Sequence, residues 1–373
     1  VHVYESVVIG AGQAGLSASY HLRRLGIDHV VLDAGDRPGG AWQHRWDSLT
    51  MSDVHGVADL PDASAPARSS EPANRAVPVW FAQYETERGL PVIRPVAVDS
   101  VTSGATSGAT SGATSEADLL VVHAGERSWH TRTLINATGT WTRPFVPYYP
   151  GREKFRGKQL HTAGYPGRDY FRGKRVLVIG GGASAVQFLG ELAPITETLW
   201  ATRREPVWRD HFDENVGRDA VAMVQERVAR GLPPASVVSV TGLSLRPQER
   251  EAEALGAYAA RRPMISSIEP TGVRWATGEF EPVDVILWAT GFRPAIDHLA
   301  PLQLRGPEGG IQLLSVGRDV QTAVTAAVDP RVQLVGYGPS ASTIGASRAG
   351  RAAATAVSRQ LRSSADVSAG ETA

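Results

Sequence analysis

Hydrophobic and polar positions alternate between two periods along this chain. The run Tyr4–Ile9 (YESVVI) is short, rich in β-branched residues and ends at Gly10, the pattern of a buried parallel strand. From Gln13 to Leu25 apolar residues recur at helical spacing, with Gly26 placed as a C-cap. Asp28–Leu32 (DHVVL) predicts a second strand and completes a βαβ unit. The same order returns at Arg175–Ile179, Ala183–Ala193 and Thr198–Ala201. Two such units, each opened by glycines, predict two nucleotide-binding modules in one chain.

Between them, Val92–Val98, Asp118–His123 and Trp129–Ile135 read as strands of a meander. Gly104–Ser115 is GATS three times over, too small and polar to bury area against its ordering cost, so a flexible hairpin loop is expected. Asp59–Pro78, rich in Pro, Ala and Ser, predicts irregular surface. Arg246–Arg262 mixes charge signs at helical spacing and predicts a solvated helix, and Ser363–Ala373 predicts a disordered tail.

Composition narrows the chemistry. The AVILMFWYC set makes up 42% of 373 residues, enough for a core without disulfide or metal staples. The length predicts two domains or three. Thirty-eight basic residues balance 38 acidic ones, which argues against a nucleic-acid partner. Cysteine is absent, excluding disulfides, thiolate zinc, iron–sulfur clusters, cysteine nucleophiles and redox CxxC pairs. No apolar run approaches the roughly 20 residues that cross a bilayer. The opening VHVYESVVIG lacks the organisation of a signal peptide. A cytoplasmic protein acting on a small molecule is expected, with a homodimer left open and no metal spacing among the histidines.

Gly10-Ala11-Gly12-Gln13-Ala14-Gly15 is a GxGxxG directly after a strand and opening a helix. Gly10 suits the tight turn, Gly12 the approach of a pyrophosphate, and Gly15 close helix–strand packing. Gln13 and Ala14 begin the helix whose free N–H groups face the phosphates. Asp33, 23 residues after Gly10, stands where a ribose hydroxyl would sit. The second turn is Gly180-Gly181-Gly182-Ala183-Ser184-Ala185, and the same offset from Gly180 lands on Arg203, followed by Arg204. A carboxylate accepts from an unphosphorylated ribose, whereas guanidinium groups pair with a 2′-phosphate. The first module therefore suits FAD and the second NADPH, although Glu205 stands ready to neutralise the arginines.

Other segments resemble the class B flavin monooxygenases. Gly39-Gly40-Ala41-Trp42 is similar to their GGxW segment. Leu134–Gly139 and Ile286–Pro294 are similar to the two ATG-type segments where chain passes between modules. Phe155-x-Gly157-x-x-x-His161-x-x-x-Tyr165 matches the FxGxxxHxxxY fingerprint of flavin-containing monooxygenases. The resemblance runs from Glu5 to about Arg351 and is strongest to the compact bacterial members.

It implies an α/β fold of two Rossmann-like dinucleotide-binding domains in a glutathione-reductase-like arrangement. FAD would be held by residues 1–150 and 283–362 and NADPH by 151–282, with 363–373 as the tail. It also implies that one oxygen atom of O2 is inserted, through a C4a-(hydro)peroxyflavin, into a sulfide or amine, with Baeyer–Villiger oxidation as a side activity. An NAD(P)H oxidase or quinone reductase is the alternative. Gly40, Ala41 and Trp42 join the cofactor-binding residues. His161 and Tyr165 are expected to couple reduction to oxygen transfer by stiffening the linker, although a packed hinge without chemical role fits as well. Met51 and Asp53 are candidate pocket residues. Gly336-Tyr337-Gly338 and Ser342-Thr343-Ile344-Gly345 predict a helix that starts near Thr343 and aims its N-terminus at the flavin, or an ordinary capped helix.

Overall fold

Both predicted βαβ units form in the computed structural model, which describes residues 2–54, 57–104, 119–209, 214–235, 242–315 and 323–370. In the first unit β1 (Val3–Ile9), α1 (Gln13–Arg24) and β2 (His29–Leu32) follow one another, the strands parallel with Ile9 beside Leu32. Val7, Val8, Val31 and Leu32 are fully buried, as a parallel strand covered on both faces requires. Next come α2 (Ala73–Glu87), β3 (Val92–Ile93), β4 (Ser100–Ser103), β5 (Leu120–Ala124) and β6 (Arg127–Asn136). β3 extends the sheet beside β2, β4 to β6 form an antiparallel meander, and β6 returns parallel to β1.

Two expectations change here. The strand expected over Val92–Val98 is divided: only Val92–Ile93 pairs, and it belongs to the parallel sheet, because Pro95 has no N–H with which to continue a ladder. The meander begins at Ser100 instead. Asp59–Pro78 is not irregular throughout, since α2 starts at Ala73 and buries Ala73, Val77, Phe81 and Tyr84 along one helical stripe, with Pro78 inside the helix. The repeats from Ala105 to Ser115, and Asp118, lie outside the described residues.

The second module holds β7 (Lys158–His161), β8 (Arg175–Ile179), α3 (Ala183–Leu192), β9 (Glu197–Ala201), α4 (Glu214–Ala229), α5 (Arg250–Ala254), β10 (Ile265–Glu269), β11 (Gly272–Trp275), β12 (Phe280–Pro282) and β13 (Val285–Trp288). Its parallel sheet runs β7-β13-β8-β9. The antiparallel β10–β12 covers one face, burying Ile268, Val273 and Trp275 against Leu177, Ile286 and Trp288. Because β13 pairs with both β7 and β8, the chain leaves this module after Trp288, not at the expected 282/283 boundary. The solvated helix expected over Arg246–Arg262 is only the short α5 preceded by a 3₁₀ turn. Arg250, Glu251, Glu253 and Ala254 of α5 are exposed as expected, while Ala252 and the flanking Glu249 and Tyr258 are buried.

The chain then completes the first sheet with β14 (Leu313–Ser315), β15 (Ala323–Ala326) and β16 (Val332–Leu334), the last parallel to β6. α6 (Thr343–Gly370) lies across α1 so closely that a Cβ on Gly350 would stand 2.7 Å from the Ala18 nitrogen. This helix passes Ser363 and continues to Gly370, in place of the expected disordered tail. Ser363 and Ser364 return their hydroxyls to the carbonyls of Arg359 and Gln360 and stay compatible with the helix; residues from Glu371 onward lie outside the description. α4 reaches from the second module to the first, setting Val228 into a core with Leu313 and Tyr337. Among the described residues no helix is long and apolar enough to cross a membrane.

Candidate active site

The two glycine turns have the shapes their sequences require. Gly10 has φ +99°, and a Cβ there would lie 2.6 Å from the Ala137 carbonyl oxygen. A Cβ on Gly15 would stand 1.8 Å from the Gly10 oxygen, so only glycine lets α1 approach the turn, while a Cβ on Gly12 would meet nothing within 4 Å. Open space lies before Gly12, and α1 starts there with no side-chain cap and no acid in its first turn. The second turn repeats this: Gly180 is closed off by the Ala289 carbonyl, Gly182 is open, and α3 starts at Ala183 and Ser184 uncapped and free of acids. Unpaired N–H groups at a positive helix end are what a pyrophosphate needs.

Asp33 ends its region of β2 as expected, yet its carboxylate also shapes the turn. Oδ2 accepts from the Ala11 N–H at 2.6 Å and Oδ1 from the Gly35 N–H at 2.9 Å, with Arg94 at 3.4 Å. The Gly39–Trp42 segment lies over the same turn, where a Cβ on Gly40 would come within 2.9 Å of the Gly12 Cα. Ala41 and Trp42 follow, half-buried, in a 3₁₀ helix. Arg203 and Arg204 are exposed just beyond β9, and Glu205 pairs with Arg261 at 3.2 Å, away from the arginine pair. No ion pair ties either arginine among the described residues.

The two crossings between modules run side by side. Phe145 donates its N–H to the Gly291 carbonyl, Arg293 to Arg143 and Ala295 to Gly139, a ribbon at 2.8–3.0 Å. His161, last residue of β7, joins it. Its Nδ1 accepts from the Ala163 N–H at 3.2 Å, so Nε2 carries the hydrogen and donates to the Gly291 carbonyl at 3.0 Å. Burial holds its pKa below the usual imidazole value. With both nitrogens bound to backbone, His161 ties the linker to the second crossing. Its ring meets Phe292 edge-on, and Phe292 stacks on Trp141 at 4.9 Å. Tyr165 lies in the core against Phe188 and Phe171, its phenol donating to Glu191 at 2.8 Å; burial and the Glu191 charge push its pKa up.

Several expected residues have duties of their own. Gln13 donates its amide N–H to the carbonyl of Ala58 and the hydroxyl of Ser347, stapling α1 to α6. Met51 is a core residue, 3% exposed, and Asp53 accepts from the Thr50 hydroxyl in a local turn. The chain folds back over this stretch, where the Met51 N–H bonds the Glu71 carbonyl. Thr343 starts α6 as expected. The Ser342 hydroxyl caps that helix through the Gly345 N–H at 3.1 Å, so one amide is already matched.

Three participants escaped sequence reasoning. Arg45 has its guanidinium 4.3 Å from the Trp141 ring centre and 5.8 Å from that of Trp42, and burial without an acidic partner lowers its pKa to about 10. His298 donates to the Asn136 side chain at 2.7 Å beside the first crossing. Glu191 collects Tyr165, Trp46 and Ser48. A GGxW-linked arginine was a readable signal; the other two were one His and one Glu among many.

The model of the pyridine nucleotide-disulphide oxidoreductase family matches residues 7–237. The chain belongs to that family and, having no cysteine, lacks its disulphide chemistry. A flavin-containing monooxygenase from Stenotrophomonas maltophilia is 36% identical, with 97% of this chain and 100% of that one superposed at a TM-score of 0.78. A Baeyer-Villiger monooxygenase from Streptomyces coelicolor is 29% identical over 56% of this chain and 39% of its own length. Senecionine N-oxygenase from Tyria jacobaeae is 24% identical over 52% and 45%. Within its family the protein is a flavin monooxygenase, an oxidoreductase of the two-Rossmann-domain, glutathione-reductase-like fold, and its cofactors are FAD and NADPH.

Proposed function

We propose that this enzyme uses NADPH in preference to NADH and inserts one oxygen atom of O2 into a soft heteroatom, a sulfide or an amine, with Baeyer–Villiger oxidation of ketones as a side activity. One observation carries the cofactor preference: the two turns differ at the ribose side, with the Asp33 carboxylate at the first and, at the second, two exposed guanidinium groups that form no ion pair among the described residues. On this reading Gly10, Gly12, Ala14, Gly15 and Asp33, with Gly40, Ala41 and Trp42, hold FAD. Gly180, Gly182, Ala183, Ser184, Arg203 and Arg204 hold NADPH. Gln13 and Thr343 serve FAD through the packing of α1 and the start of α6.

Bound FAD, reduced by NADPH, supplies the activation of O2. The chain's residues position and shield. The half-buried rings of Trp42, Trp141 and Phe292 exclude water and present apolar faces to an uncharged nucleophile, which needs no protein base to react. His161, neutral and bound at both nitrogens, and Tyr165, protonated and buried, hold the linker without moving a proton. The test mixes the FAD-loaded protein with NADPH without oxygen, then admits ¹⁸O-labelled O2 with an aryl methyl sulfide or a tertiary amine. Bleaching of the flavin followed by one labelled atom in the product supports the reading. Complete release of the oxygen as peroxide, with no labelled product from either compound, overturns it in favour of an oxidase.

A further inference from the structure

Glu191 lies near the end of α3, the helix that rises from the second glycine turn. Its carboxylate gathers donors from two other stretches of chain. The Trp46 indole N–H and the Ser48 hydroxyl donate to Oε1 at 3.1 and 2.7 Å, and the Tyr165 hydroxyl donates to Oε2 at 2.8 Å. Trp46 and Ser48 belong to the first module, directly after the segment that lies over Gly12. Tyr165 closes the linker fingerprint. The rings pack as one cluster, with Phe188 centred 4.9 Å from Trp46 and 4.4 Å from Tyr165.

Trp46 and Tyr165 are 6% and 8% exposed, so leaving their polar atoms unmatched is costly. An ionised carboxylate accepts on two oxygens and donates from neither, and it is the one group here that meets all three donors at once. We infer that Glu191 is a positioning residue that ties the two cradles together. The loop ending in Trp46 is braced on the first turn, and Glu191 shares a rigid helix with the second. The carboxylate thereby sets the separation across which reducing equivalents pass. This assignment rests on the proposed seating of NADPH at the second turn.

The test uses the full chain loaded with FAD. In Glu191→Ala, amide hydrogen exchange over residues 44–50 and 163–168 should quicken about tenfold, the factor set by losing a hydrogen bond to a charged group. The share of NADPH spent as peroxide should rise by several-fold while the KM for NADPH moves by less than about twofold, since the phosphate cradle is untouched. Glu191→Gln keeps one acceptor oxygen and should fall between that variant and the parent. Should Glu191→Ala fail to fold, Ser48→Ala and Tyr165→Phe each delete one donor, keep every ring and should shift both readouts the same way. Unchanged exchange in both segments, or an unchanged peroxide share, overturns the assignment. Exchange needs no turnover, so it judges the tie even where the monooxygenase reading fails. Inability of the parent protein to take up FAD strikes that reading alone.

Discussion

Arg203 and Arg204 owe their availability to a neighbour. Glu205 could have neutralised them but is held by Arg261 instead, leaving two cations beyond β9. Replacing both with Ala should raise the KM for NADPH about tenfold or more and leave that for NADH nearly unchanged, as expected for charge-assisted bonds to a 2′-phosphate. Steady-state kinetics with each nucleotide checks this, and equal effects would remove the phosphate role. His298 illustrates a different residue-level effect. Burial, partly opposed by the Asp297 charge, pushes its imidazole down to about 4 from 6.5. The unfolded chain then binds the extra proton, so the contribution is complete above pH 6.5 and is lost as pH falls from 6.5 towards 4. In His298→Gln, which keeps a donor for Asn136, the loss of stability over that window should shrink by about 2–3 kcal/mol, measured by denaturant unfolding at a series of pH values.

Among the elements, α1 and α6 cross in close contact. Ser17 donates its hydroxyl to the Ser347 carbonyl, and Gly350 leaves no room for a side chain beside Ala18. Gly350→Val should destabilise the protein by about 1–3 kcal/mol through overpacking and weaken FAD retention together with it, because α1 carries the first cradle. Thermal unfolding and FAD release check the pair of effects, and a variant of parental stability would show that the crossing can relax. Gly350 is one of 39 glycines, and nothing in its sequence neighbours marks it. Gly15 was legible because the carbonyl that excludes its side chain, that of Gly10, belongs to the same turn, and Gly10 was legible as a turn glycine, although what closes it off is the distant Ala137. The short α5 shows the converse. Its own charged residues Arg250, Glu251 and Glu253 are exposed as their pattern suggested, but just before it Arg246 pairs with the 1% exposed Glu249, a charge satisfied internally that the pattern did not set apart.

For the whole molecule, the described residues join the modules at the paired crossings, at the Glu191 cluster and at the seat of Val228 on the first module. His161 belongs to the first of these. His161→Ala removes both backbone contacts and should increase the share of NADPH lost as peroxide, with little change in FAD content. A peroxide assay against NADPH consumption tests it, and unchanged coupling would make the residue an inert part of the hinge. The fingerprint around His161 and Tyr165 could be read as a linker from the sequence, but the partners that give each residue its role could not. Gly291 is 130 positions from His161, and Glu191 is 26 from Tyr165 and 145 from Trp46.

By itself the sequence determined both βαβ units, their glycine turns and the contrast between Asp33 and the arginine pair. Side-chain periodicity, turn sterics and charge at a strand end are decided within a few dozen residues of chain. Only the tertiary structure decided that β13 closes the second sheet, that α6 continues to Gly370, that Met51 is core, and that one carboxylate joins the modules. These outcomes depend on which distant surfaces meet when apolar area is buried, and on which buried donors then need an acceptor.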